Sequence, residues 1–378
     1  MPDIKIPMYN PLIETEEINR AVEALEMKWL GMGAYVKTFE EEVLNYLQCS
    51  KYSCAVSTGH AALHLALLLC DIKAGDEVIT PAFNNIADFQ AILAVGASPV
   101  FCDIDEKSLC INPDKIEELI TDKTKAIMPM DYGSAICAHD QIKKIADKHN
   151  LRVIHDAAHS FGSSYNGKKI GTFSDICMFS FDPVKNITCI DGGMLIVNSE
   201  EDLKKLHEMR LIGMGQPAKT MYENKRAWTY DVKSLGFRYH MPNLHAAIGI
   251  EQLKKIESIS ESKREVALNY NKSFAKISNL KIPSNPISNS CPFLYYILCS
   301  KELRNKLRDY LLNRGVETGI HWQPAYNFSL FENYRAGDLS VTKLIEHEIV
   351  SIPIHSQMKY EDYTYVITCI EEFFKDKS

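Results

Sequence analysis

An α/β fold built on a mostly parallel sheet, with helices on both faces, is predicted by three observations. Short apolar runs alternate with helical patterns through the first two-thirds of the chain. Small polar turns follow several of these runs, so residues able to do chemistry fall at the carboxyl ends of strands, where the loops of such a sheet converge. The length, 378 residues, suffices for one large and one smaller domain, each with its own core.

Seven runs read as strands: Tyr52–Val56, Glu77–Thr80, Pro99–Cys102, Ala126–Met130, Arg152–His155, Ile176–Phe181 and Gly193–Val197. They predict a seven-stranded sheet. Between them Ala61–Leu69, Ile86–Val95, Pro113–Leu119 and His139–His149 read as helices. A long charged helical pattern over Ile250–Ala275 then links the large domain, residues 1–250, to a C-terminal α+β domain, residues 251–378. Ile277–Asn289, rich in Ser, Pro and Asn, reads as the boundary loop. Tyr295–Cys299 reads as a strand, and Lys301–Arg314 as a helix stopped by Gly315.

Bulk properties exclude several classes. The net charge of −7, with no lysine/arginine block, offers neither a nucleic-acid groove nor a membrane patch. Eleven cysteines occur singly without C-x-x-C pairs, so buried thiols in a reducing cytoplasm are expected rather than disulfides or zinc, and no metal-ligand set is assigned. Met1–Pro7 lacks the apolar core of a signal peptide, and no stretch is long and apolar enough to span a bilayer. A cytoplasmic protein is expected.

Lys185 closes the apolar run Cys177-Met178-Phe179-Ser180-Phe181, in a polar turn shortly before Gly192-Gly193. A lysine at the mouth of a buried strand suits covalent attachment of an aldehyde cofactor. Pyridoxal phosphate (PLP) also needs a carboxylate beside its ring nitrogen, because a protonated pyridinium accepts the electrons released when a substrate Cα–H bond breaks. Asp156, at the end of Leu151–His155, is the candidate. His159, three residues on, is a candidate for lying beside the ring or hydrogen-bonding its phenolic oxygen. A strand-end aspartate capping the next helix and a satisfied core histidine are the alternatives. Ser57-Thr58-Gly59 forms a polar turn before an Ala/Leu helix, where free N–H groups and the helix dipole suit a phosphate, though the same turn is also ordinary helix capping. No G-x-G-x-x-G or P-loop supports a dinucleotide or nucleotide-cradle alternative.

Taken in order with Gly75–Phe83 and Gly236–Gly249, these segments resemble the DegT/DnrJ/EryC1/StrS family of PLP-dependent sugar aminotransferases, from about Ile6 to about Phe374. The resemblance implies a fold-type I transferase. It implies a homodimer with shared active sites, glutamate as amino donor and a nucleotide-linked keto sugar as acceptor. Lys185 matches the family's cofactor-bearing lysine, Asp156 its ring-nitrogen partner, and His159 the position that packs against the ring. Ser180 matches a phosphate-binding serine, with Ser57, Thr58 and Gly59 supplying donors nearby. Three positions depart from the commoner pattern: His60 replaces a phosphate-binding threonine, Asn85 an aromatic residue over the ring, and Arg238 an asparagine that reaches the partner subunit's phosphate. Arg238 either binds that phosphate or pairs with an interface carboxylate.

The same resemblance points to Trp29-Leu30-Gly31-Met32-Gly33 as an entry loop, so Trp29 and Gly31 are candidate substrate residues. His321 and Trp322, before Pro324, are candidates for shaping the sugar site or else form a packed aromatic cluster. Lys219, Lys225 and Arg226 lie in a polar connection able to meet a diphosphate. Amination at C4 of dTDP-4-keto-6-deoxyglucose is the preferred expectation, with amination at C3, or UDP- and GDP-linked sugars, as alternatives. Sugar-deoxygenating relatives carry histidine in place of the lysine, which Lys185 opposes. A PLP-binding regulator without turnover is the alternative of another class.

Overall fold

The computed structural model describes residues 4–215 and 218–375, with the side chains of Ala218 and Lys219 outside the described residues. In chain order the elements are α1 (Thr15–Glu26), α2 (Ala34–Leu47), β1 (Tyr52–Val56), α3 (Gly59–Leu69), β2 (Glu77–Pro81), α4 (Ile86–Ala94), β3 (Ser98–Cys102), β4 (Thr124–Ile127), α5 (His139–His149) and β5 (Arg152–Asp156). A hairpin follows, β6 (Ser164–Tyr165) with β7 (Lys168–Lys169), then β8 (Ile176–Ser180), β9 (Gly193–Val197), α6 (Glu200–Met209) and α7 (Ala218–Tyr222). The remainder comprises α8 (Asn243–Lys254), α9 (Ile256–Phe274), β10 (Tyr295–Leu298), α10 (Lys301–Leu312), α11 (Ser340–Glu348), β11 (Ile349–Ile352) and α12 (Tyr360–Lys375).

Seven strands form one sheet in the order β1-β9-β8-β5-β4-β2-β3. Only β9 runs against the others. The strand alternation of period two is visible in how neighbours split between faces. Ala55, Cys177, Phe179, Met194 and Ile196 pack on one side with Val36, Phe39 and Ile250. Cys54, Val56, Ile176, Met178, Leu195 and Val197 pack on the other with the leucines of α3. Both faces are therefore covered, which is why β8 and β9 read as unbroken apolar runs. The pair β10–β11 forms a separate two-stranded sheet. It shares an apolar core with Val266, Tyr270 and Phe274 of α9, Leu307 and Leu311 of α10, and Ile370 of α12.

The structure corrects several expected boundaries. The strand expected over Ala126–Met130 ends at Ile127, because Pro129 has no N–H to give the ladder; Met130 keeps only an isolated bridge to Asp156. Pro113–Leu119 is two short 3-10 turns, the tighter geometry usual in short segments. The helix expected over Ile250–Ala275 starts earlier, at Asn243, and is interrupted at Lys255, whose amine pairs with Glu14, Glu16 and Glu17 at the start of α1. No helix among the described residues is long and apolar enough to cross a membrane.

A buried ion pair fastens α2 to the sheet. Arg210, fully buried, donates to Glu40 Oε1 at 2.6 Å and to the Ala55 carbonyl at 2.6 Å. Glu40 Oε1 also accepts from the Ala55 N–H at 2.7 Å, and the Tyr222 hydroxyl donates to Glu40 Oε2. Removing one partner strands a buried charge. Arg210→Met is therefore expected to lower the unfolding free energy by about 3–5 kcal/mol in denaturant titrations, whereas loss of an exposed pair such as Lys143–Asp147 shifts it by under about 1 kcal/mol.

Candidate active site

At the carboxyl ends of the parallel strands a cavity of about 300 Å³ collects residues from distant parts of the chain. The turn after β1 supplies Thr58, Gly59 and His60, the N-cap of α4 supplies Asn85, and β5 with its following turn supplies Asp156 and His159. Ser180 and Lys185 come from the end of β8 and the turn after it, and His321 and Trp322 from the C-terminal part. Ser57 does not line it; its N–H is spent on the Tyr239 carbonyl at 2.6 Å.

Lys185 sits with its amine 4.2 Å over the ring of Phe293. Burial disfavours its charge and outweighs the attraction of Asp156 and Asp182, while Lys263 adds repulsion, so its pKa falls to about 8. At pH 7 roughly one amine in ten is then neutral and nucleophilic, against fewer than about one in a thousand for an ordinary lysine. Asp156 is 3% exposed and accepts the Ala158 N–H at 2.8 Å. Burial raises its pKa, opposed by that N–H, by a hydrogen bond from Asp88, and by the positive fields of Lys185 and His155.

His159 is buried and stacks on Phe293 with ring centroids 4.1 Å apart and planes 24° from parallel. The Gly133 N–H donates to its Nδ1 at 3.3 Å, which puts the ring proton on Nε2. Burial first, then Lys185 and His321, hold its pKa well below the ordinary value, so the ring is neutral. Beside it Asp131 gathers the turn after β5. It accepts from Ser160 Oγ at 2.6 Å, from the Cys137 N–H at 2.9 Å, from His155 Nε2 at 2.7 Å and from His139 Nε2 at 3.1 Å. Burial opposes charge on His155, but Asp131 outweighs it and raises that pKa well above 6.5.

The phosphate-like corner is tightly built. Thr58 caps α3 by accepting the Ala61 N–H at 2.9 Å, and the first N–H groups of a helix have no intrahelical acceptor. A Cβ on Gly59 would lie 2.9 Å from both Cβ and Oγ of Ser180, so only glycine lets these two elements meet. Asn85, which also lines the cavity, spends its side-chain oxygen on the Ala87 N–H at 2.9 Å. His321 receives or gives a hydrogen bond at each ring nitrogen, to Tyr9 at 3.2 Å and Ser351 at 2.9 Å. Trp322 Nε1 is buried without a partner among the described residues.

Trp29, Gly31 and Arg238 are not brought to this cavity within one chain. They line a second one of about 420 Å³, with Arg226, Trp228 and Tyr230. The Arg226 guanidinium lies 5.6 Å from the Trp29 ring centroid. Arg238 is exposed, and among the described residues no carboxylate pairs with it. Lys225 pairs with Glu223. Residues that sequence reasoning missed include Tyr9, Asp88, Lys263 and Phe293. They are far apart in sequence and follow no motif; only the folded chain assembles them.

Comparison with known proteins decides the family. The model of the DegT/DnrJ/EryC1/StrS aminotransferase family matches residues 11–371. The chain belongs to this family. It is 32% identical to the spore coat polysaccharide biosynthesis protein SpsC of Bacillus subtilis, over 98% of this chain and 97% of that one. Helicobacter pylori PseC, an aminotransferase involved in the biosynthesis of pseudoaminic acid, superposes with a TM-score of 0.90 at 26% identity, covering 98% of this chain and 99% of that one. The PLP form of Spr1654 from Streptococcus pneumoniae gives 0.91 at 25%, covering 98% and 99%. The protein is a PLP-dependent sugar aminotransferase with a fold-type I architecture.

The cavity fits that cofactor: a lysine of depressed pKa, a buried carboxylate, a neutral stacked imidazole and a glycine-Ser180 corner at a helix N-terminus share it. Lys263, 4% exposed, donates to Asn186 at 2.9 Å and is likewise held near pKa 8 by burial. A lysine whose folded pKa lies below its unfolded value of about 10.4 makes the unfolded state bind more protons between those limits, so stability rises with pH from about 8 to about 10. Urea titration of the apoprotein is expected to show this rise, up to about 1.4 kcal/mol per pH unit for each such lysine, and a smaller rise in Lys263→Met.

Proposed function

We propose that the protein transfers the amino group of glutamate to the ketone of a nucleotide-linked sugar, with C4 of dTDP-4-keto-6-deoxyglucose as the first substrate to test. The observation that carries this reading is the convergence of Lys185, Asp156, Gly59 and Ser180 on one cavity. Pyridoxal phosphate held there supplies an aldehyde that takes up amines and a ring that accepts the electrons of a breaking Cα–H bond. Lys185 is the residue that would hold it. The Lys185 amine would take the Cα proton of glutamate and deliver it again within the same half-reaction, one group serving as base and then acid, and would do the reverse in the half-reaction with the sugar.

Asp156 keeps a negative charge beside the ring nitrogen, and neutral His159 forms a wall of the ring site. Gly59, with Ser180 Oγ, Thr58 and His60 around the α3 N-terminus, holds the phosphate, and the Asn85 amide donates at the cavity edge. His321 and Trp322 shape the sugar site, where the buried Trp322 N–H has no protein acceptor. Division of the chain near residue 250 belongs to the same proposal, supported by the separate core around β10 and β11.

The working form is a cytoplasmic homodimer with shared active sites. The support is an apolar face of α1 turned to solvent, Ile18, Val22 and Leu25, together with exposed Leu30, Ile212, Trp228, Val232 and Leu235. A second subunit covering this surface brings Trp29, Gly31 and Arg238 to its partner's site. Arg238 then reaches the cofactor phosphate, so Arg238→Asn is expected to weaken PLP binding by about tenfold in apoenzyme titrations, with unaltered affinity counting against that role.

A panel of nucleotide-linked keto sugars, incubated with glutamate and resolved by product NMR, tests the substrate. Amination at C4 of the dTDP sugar is expected. Exclusive amination at C3, or of UDP- or GDP-linked sugars, replaces the substrate and keeps the reaction class. Cofactor binding with no turnover of any sugar favours a regulatory protein.

A further inference from the structure

Asp88, in the first turn of α4, is fully buried, and its Oδ2 accepts the Asn84 amide at 2.6 Å. Its Oδ1 is also buried, yet among the described residues no donor reaches it. The buried carboxyl of Asp156 is within hydrogen-bonding reach of the Asp88 side chain. Two ionised carboxylates side by side in a water-excluded site repel, and neither can donate a hydrogen bond to the other. One proton removes both problems: it satisfies Oδ1 and leaves a single charge.

We propose that Asp88 is a positioning residue for Asp156, a neutral carboxylic acid whose Oδ1–H donates to the Asp156 carboxylate and holds it as an anion turned to the cofactor site. This rests on the cofactor reading given above. The surroundings decide which partner holds the proton. Asp156 is reached by the Ala158 N–H and by the positive fields of Lys185 and His155, all of which favour its charged form. Among the described residues the only charged group acting on Asp88 is Asp156, and its other neighbour is the neutral Asn84 amide. Burial and the neighbouring anion both push the Asp88 pKa well above the carboxylate range.

Asp88 therefore contributes a donor without adding a charge. Asn at this position preserves that property, since its amide also donates and is neutral; Leu fills the space and donates nothing. Removing the donor leaves Asp156 with the Ala158 N–H as its one backbone donor, and burial then favours protonation of Asp156 itself.

Two measurements test this. In the apoprotein, carbon-13 NMR of labelled aspartate carboxyls is expected to show one carboxyl that stays protonated through pH 7 and whose signal is lost in Asp88→Asn. Parent protein without such a carboxyl, or a signal that survives Asp88→Asn, overturns the proposal. PLP titration of the apoproteins is expected to give an affinity within about threefold of the parent for Asp88→Asn and at least about tenfold weaker for Asp88→Leu. Equal losses in both variants would reduce Asp88 to a packing role, and no loss in Asp88→Leu would remove its role altogether. The carboxyl signal needs no cofactor, so its failure speaks to Asp88 alone; failure of the cofactor reading shows instead as absence of Lys185-dependent PLP binding in the parent.

Discussion

Lys185→Ala is expected to lower transamination by about 10⁴-fold or more while leaving the fold intact. The size follows from two roles in one amine. Its depressed pKa supplies neutral amine near pH 7, and no other base replaces it at that place. His159 and His321 are neutral, but burial and Lys185 itself push both rings away from proton uptake, His321 to about 4. Lys263 points to Asn186 rather than into the main cavity. Steady-state turnover of the purified variant, with circular dichroism as the folding control, checks this. Activity within about tenfold of the parent would refute the assignment of Lys185 as the acid–base group.

Asp156→Asn is expected to cost about 10²–10³-fold in kcat, with a smaller effect on glutamate KM. The reasoning is electrostatic. Burial raises the pKa of this carboxyl, and the Ala158 N–H, Asp88, Lys185 and His155 all act in favour of its charge. An amide keeps the shape and loses the charge proposed to hold a proton on the ring nitrogen, so the loss should fall on proton removal from Cα rather than on binding of the amino acid. A primary deuterium isotope effect with Cα-deuterated glutamate should grow in the variant. A change in KM alone would mean that Asp156 merely builds the pocket.

The strands that carry the site were legible because burial on both faces leaves a strong signal. Each residue of β8 and β9 is buried, and the polar turns at their ends stand out against them. Lys185, Asp156, His159 and Gly59 could be found from such turns in single segments. Asp88 could not. In sequence it is one acidic residue in the first turn of a helix, indistinguishable from a residue that favours the helix dipole. Its meaning depends on a carboxyl 68 positions away, by the difference between residues 156 and 88, brought near by the sheet. Phe293 and Tyr9 were hidden in the same way, since an aromatic residue in a loop reads as packing until Lys185 is seen over its ring.

The helix α1 was missed for another reason. α1 puts Ile18, Val22 and Leu25 on its exposed side and buries Glu17, which accepts from the Gln252 amide and pairs with Lys255. An apolar stripe facing out and a glutamate facing in invert the usual helix pattern. Pro113–Leu119 failed in the opposite direction: its spacing suggested one helix, but seven residues starting at a proline made only two tight turns.

The central claim is that Lys185 carries the cofactor and moves the proton. Its most direct test is the visible absorption spectrum of the purified protein with added PLP, before and after glutamate, in the parent and in Lys185→Ala. A yellow band that depends on Lys185 and bleaches on glutamate addition in the parent alone is expected. A band of equal strength and equal bleaching in the variant, or no band in the parent, would contradict it.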